Sequence, residues 1–150
     1  GGMRPDAGRV LNGVAVALMT RVAPEIRTPF GQQLAGLSAV LLRVVATEFD
    51  RIADRLSVEN AAVAAILSDA AAVLPDASLN VRAREAANAA TPPDLRVSTL
   101  QAINDRLRAI LVDVHAAIEE TPGEEARAME ERIWEELRES TRRRHVEARV

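Results

Sequence analysis

Glu48, Arg51 and Arg55 are the residues of this chain whose types and spacing come nearest to a working site. At about 100° per residue along a helix, Glu48 falls within an apolar arc between Val45 and Ile52. Arg55 lies two turns further along nearly the same line, and Arg51 stands at its edge. A carboxylate in an apolar setting is costly unless it is paired or protonated. Two roles follow. Glu48 could act as a general base or anchor for a small anionic ligand, with its pKa moved by burial. Alternatively it is one rung of an ion-pair ladder with Arg51, Arg55 and, from the preceding helix, Arg21. The ladder is the expected reading, and the anion site is its alternative.

A second group lies at the end of the chain, where "ESTRRRHVEARV" carries Arg142, Arg143, Arg144 and His145 in succession. Arginine forks suit phosphate and carboxylate alike, so the run could dock a small anion or an acidic partner. Its electrical context favours a plainer role. From Glu119 to Glu139 nine glutamates face three arginines, and from Ser140 onward four arginines face one glutamate. Acid at the start of a helix and base at its end is the order that the helix dipole stabilises. The run is therefore expected to be a solvated helix end. His115 and Glu119 share a helix face at a spacing of four, which is expected to give a hydrogen-bonded pair. A carboxylate-bridged di-iron site would need Glu-x-x-His twice. Positions 112 and 142 are Val and Arg, so that pattern is absent and no metal ligand is assigned.

Other chemistry is excluded by composition. All 19 basic residues are arginine, which removes Schiff-base lysines and the P-loop lysine. There is no cysteine, hence no disulfide, thiolate nucleophile or zinc-thiolate site. No nucleophile elbow or glycine-rich nucleotide motif occurs, and neither a catalytic residue nor a cofactor is expected. A net charge of −3 offers no general attraction to nucleic acid or anionic membranes. The longest apolar run, Leu34 to Ala46, contains Arg43 and is shorter than the ~20 residues of a membrane span. A cytoplasmic protein without nucleic-acid or membrane partners is expected, and the arginine and alanine bias suits a GC-rich bacterial genome.

The elements that must position these residues are helices. The chain is 48% hydrophobic and only 2% aromatic, so its core must be built from Leu, Val, Ile and Ala. Gly1-Gly2 reads as an expression remnant before Met3, leaving one helical-bundle domain over residues 3–150. The first helix is expected over about Asp6–Val22, turning Val10, Leu11, Val14, Leu18 and Val22 inward. The second is expected over Pro29–Leu56, with Leu34, Leu37, Leu41, Val45, Phe49, Ile52 and Leu56 as its buried stripe. Ser57 is then expected to cap a third helix that ends near Leu74. A short segment, Leu79–Ala90, precedes a fifth helix that starts near Asp94 or Ser98 and buries Leu100, Ile103, Leu107, Ile110, Leu111, Val114 and Ile118. The sixth, from Pro122 to about Arg144, buries Ala126, Met129, Ile133 and Leu137.

Thr28-Pro29, Thr91-Pro92 and Thr121-Pro122 each read as an N-cap followed by proline at the first helical position, Thr121 pairing with Glu124 in a capping box. Gly13 and Gly36 inside helices suggest close helix crossings, and Trp134 at the edge of its stripe suggests a half-buried contact. The sum is an all-α antiparallel bundle of about five to six helices. Its alanine-rich helices bury little area each, so a homodimer or another protein partner is expected to cover the rest.

"RPDA" at Arg4–Ala7, "VAPEIR" at Val22–Arg27 and "RVVATEFD" at Arg43–Asp50 resemble an uncharacterised bacterial family of short helical proteins. Its members are encoded beside acyl-CoA dehydrogenases and aminoglycoside-phosphotransferase-like kinases. The resemblance covers about a third of the chain and implies an accessory role, with no active-site residue carried over.

Overall fold

The computed structural model describes residues 6–145, except for the side chain of Asp50. The terminal glycines, Met3, the Arg4-Pro5 of the "RPDA" stretch and residues 146–150 lie outside the described residues. The protein is all-α. Five α-helices follow one another: α1 (Ala7–Ala17), α2 (Pro29–Ala70), α3 (Ala77–Asn88), α4 (Val97–Glu119) and α5 (Glu124–Arg144). Among the described residues there is no strand. They form two compact units, one ending at Ile52 and the other spanning Ala53–His145, and α2 contributes to both.

In the first unit, Asp6 caps α1 by accepting from the Gly8 N–H. The helix then loosens into a π turn, Leu18–Val22, and a 3-10 turn, Ala23–Glu25, around Pro24. Thr28 restarts the chain as the N-cap of α2, its hydroxyl accepting from the Gly31 N–H at 3.2 Å with Pro29 in the first turn, as expected. The buried seam is made of small residues: Gly8, Ala15, Ala35, Ala39 and Ala46. A Cβ on Gly8 would sit 3.5 Å from the carbonyl oxygen of Ala46, so this glycine marks the close approach of α1 to α2.

The expected inward stripes of this unit do not face inward. Val10, Val14 and Val22 are about half exposed, as are Leu34, Leu37, Leu41, Val45 and Phe49; Leu11, Leu18 and Ile52 are partly buried, and only Leu56, in the other unit, is fully so. The physical reason is packing distance. Helices that meet on alanine and glycine approach closely, and the larger side chains are left on the flanks. Gly13 and Gly36 are likewise no crossing points among the described residues, since a Cβ on either would meet nothing there within 4 Å. Pro29–Phe49 is also long and apolar enough to cross a membrane, judged by length and composition. The apolar run counted from Leu34 to Ala46 therefore understates the segment.

The second unit has a core of branched aliphatics. Val63, Ile66 and Leu67 of α2, Leu79 of α3, Ile103, Leu107, Leu111, Val114 and Ile118 of α4, and Met129 and Ile133 of α5 are all buried, which matches the expected stripes of the last two helices. Contacts between α4 and α5 pair residue 108 with 140 and 115 with 134, so the two helices run antiparallel. Those between α2 and α5 pair 59 with 140 and 69 with 132, which is again antiparallel.

Three boundaries differ from the expected ones. Ser57 does not begin a new helix. Its hydroxyl donates to the Ala53 carbonyl, four residues back, and α2 continues through this position, 42 residues in all. Thr91 caps nothing, because α4 begins only at Val97 with Arg96 as its N-cap. Thr121 donates back to Ala117 and closes α4, while Gly123, at φ 119° and ψ 166°, starts α5 without a side-chain cap. Consecutive prolines at 92 and 93 explain the second case, since the residue before proline is disfavoured in the helical region.

Candidate functional site

The sequence-derived residues divide between solvent and the interior. Glu48 and Arg55 are half-buried and engaged by other groups, whereas Arg21 and Arg51 are exposed. Two of the four proposed anion contacts thus stand in water, where a single charge contributes little to binding. The terminal arginines are not simply solvated. Arg144 reaches Glu59 at 2.7 Å, Arg143 pairs with Glu136, and Arg142 pairs with Glu139 at 3.2 Å. His145 is the exposed C-cap of α5. Arg142 also lines an open groove of about 470 Å³, but the other charges there, Arg132, Glu135, Glu136, Arg138 and Glu139, are of both signs. Such a lining concentrates no positive potential for an anion.

The most buried charge of the described residues is Glu59, which is 0% exposed. It sits on α2 one turn beyond Leu56, in line with Val63, so the unbroken helix carries it into the core of the second unit. One oxygen accepts from Arg108 at 2.7 Å, from Arg144 at 2.7 Å and from Asn104 at 3.1 Å. The other accepts from the Ser140 hydroxyl at 3.0 Å, and Arg108 also donates to that hydroxyl at 3.2 Å. Asn104 donates to Asn60 at 2.9 Å, and Asn60 donates to the Leu100 carbonyl at 3.0 Å. The carboxylate therefore binds α2, α4 and α5 together at one level.

Burial alone would push the Glu59 carboxyl up. The hydrogen bonds from Asn104, Arg108 and Arg144, with the charge of Arg144, overcome it and lower the pKa from 4.5 to about 2. A carboxylate held so strongly in its ionised form is a poor proton acceptor near neutral pH, and its lone pairs are already occupied. This cluster holds the bundle in register and is not an acid–base centre. Its neighbour Glu136 is displaced upward, burial outweighing its pairing with Arg143.

A different arrangement occupies the far end of the α4–α5 hairpin. The His115 ring meets the edge of Trp134 at a centroid distance of 5.0 Å. Its Nε2 lies 3.6 Å from Glu119, beyond hydrogen-bond range, so the two side chains approach without the expected hydrogen bond. A cavity of about 90 Å³ beside the ring is too small for an ordinary small-molecule site.

Glu59, Asn60, Asn104, Arg108 and Ser140 were not singled out by the sequence reading. The signal was present: Glu59 extends the Ile52–Leu56 stripe, Asn104 falls among Leu100, Ile103, Leu107 and Leu111, and Ser140 extends Ile133–Leu137. Interrupting α2 at Ser57 hid the first of these. Comparisons with protein-family models, with curated proteins and with solved structures find no match.

Proposed function

We propose that this chain is a protein–protein interaction module that pairs with a second copy of itself through α1 and the first half of α2. The observation that carries this reading is the inversion of the hairpin. Its seam is alanine and glycine, while two stripes of large apolar side chains remain uncovered: Val10, Val14 and Val22, then Phe30, Leu34, Leu37, Leu41, Val45 and Phe49. Scaled from the area that an aromatic side chain buries, these nine offer on the order of 700 Å², close to the ~800 Å² per partner of a standard interface. Exposed apolar area of that extent is what an interaction site presents.

A second copy is the occupant that the residues fit. From Pro29 to Thr47 the only charged residue is Arg43, so the face lacks the charge pattern that would select a different partner. Gly13 and Gly36 are open and let another helix approach closely. Two hairpins joined on these faces make a four-helix bundle with isologous symmetry. The accessory role implied by the family resemblance is compatible with such a module, and we infer a cytoplasmic setting, which the cysteine-free composition favours. Catalysis forms no part of this reading.

A second reading has one observation behind it, the 21-residue apolar stretch Pro29–Phe49. One experiment separates the two. Leu37→Arg/Leu41→Arg is expected to convert a dimer into a monomer in light scattering, with neither form floating with phospholipid vesicles. Flotation of the wild type, lost in the double variant, would instead establish the membrane reading. A wild type that is already monomeric and does not float would refute both.

A further inference from the structure

We propose that His115, Glu119 and Glu130 bind one divalent cation of the zinc class across the α4–α5 hairpin. This inference is independent of the dimer. One ligand atom from each residue, an imidazole nitrogen and one carboxylate oxygen apiece, lies within 4.8 Å of the other two. His115 and Glu119 stand one turn apart on α4 and face the same way. Glu130 comes from the second turn of α5, brought opposite by the antiparallel run of the hairpin.

The second observation is the imidazole itself. Its Nε2 is buried and has no hydrogen-bond partner among the described residues. A buried nitrogen left without a partner costs about 1–3 kcal/mol, which calls for an explanation in a well-packed helix pair. The 3.6 Å to Glu119 Oε1 is too long for a hydrogen bond. It suits two ligands of one ion: metal bonds of ~2.0–2.1 Å at a tetrahedral angle place neighbouring ligand atoms ~3.4 Å apart. Glu130 completes the trio from the facing helix, within 4.8 Å of both. A cation there would satisfy the orphan nitrogen and neutralise two carboxylates held close together.

The donor set defines the class. One imidazole and two carboxylates are borderline-to-hard ligands, which suits Zn²⁺ and its first-row neighbours better than thiolate-seeking ions. Three protein ligands leave a fourth position for water, as in zinc sites that are not closed. The ion would lie next to the turn at Thr121–Gly123 and would staple α4 to α5 at the end opposite Glu59. Along α4, His115 lies about two turns beyond Arg108, the nearest partner of Glu59 on that helix.

Trp134 provides the readout, being the chain's single tryptophan and touching the His115 ring edge-on. The full chain, stripped with a chelator, is titrated with Zn²⁺ while Trp134 fluorescence is followed, and with Co²⁺ while visible absorption is followed. A saturable change at one ion per chain is expected in both, with a rise in thermal midpoint. His115→Ala should abolish it, Glu130→Gln should weaken binding at least ~10-fold, and His145→Ala should leave it unaltered. Circular dichroism confirms that each variant folds, and Glu130→Gln serves if His115→Ala does not. The proposal is overturned if no saturable change occurs, or if binding persists unaltered in folded Glu130→Gln or His115→Ala.

Discussion

At the scale of single residues, Glu59 dominates the energetics of the second unit. It is buried, ionised and shared by Arg108, Arg144, Asn104 and Ser140. Removing one member of a buried ionic network leaves the others uncompensated, a loss of about 3–5 kcal/mol. Glu59→Ala is therefore expected to lower urea-unfolding stability by roughly that amount. The pH dependence follows from the direction of its shift. The folded pKa, about 2, lies below the unfolded value near 4.5, so the stabilisation is complete above pH ~4.5 and is lost as pH falls toward 2. Acid unfolding over that window should flatten in Glu59→Gln. Glu136 acts in the opposite sense: its raised pKa means that protonation favours the folded form, so its neutralisation partly offsets the loss on the alkaline side of the window. Of these residues only Arg144 was legible as a candidate, and for a different role. A buried glutamate in a stripe looks like any surface glutamate until the helix carrying it is known to continue.

At the scale of elements, the reading of the sequence succeeded where apolar residues pack against apolar residues within one chain. The stripes of α4 and α5 were largely correct, with Ile110 and Leu137 only partly buried, because Leu100 through Ile118 and Ala126 through Ile133 have their partners in the same unit. Boundaries failed where a hydroxyl had two choices. Ser57 and Thr121 both donate to the carbonyl four residues back in place of capping a new helix. Ser57→Ala is accordingly expected to change stability by less than the ~1 kcal/mol that loss of an N-cap costs, as measured by thermal unfolding. Gly123 behaves differently. Its backbone lies in a region that only glycine occupies readily, so Gly123→Ala should cost about 1–3 kcal/mol in the same measurement although a Cβ there meets no atom.

At the scale of the whole molecule, the misplaced stripes of α1 and α2 are the informative failure. Periodicity identified the apolar residues correctly, and the reason they are not buried is that no part of the described chain covers them. A helix pattern reports which face seeks cover, and it is silent about whether that cover comes from the same chain. The hairpin's alanine seam buries too little area to account for nine large side chains left outside it. The most direct test is sedimentation equilibrium of the wild-type chain over a range of concentrations. A mass of two chains, twice 16.2 kDa, that falls toward one chain only on dilution is the predicted result. A single mass of 16.2 kDa at every concentration would contradict pairing through the hairpin.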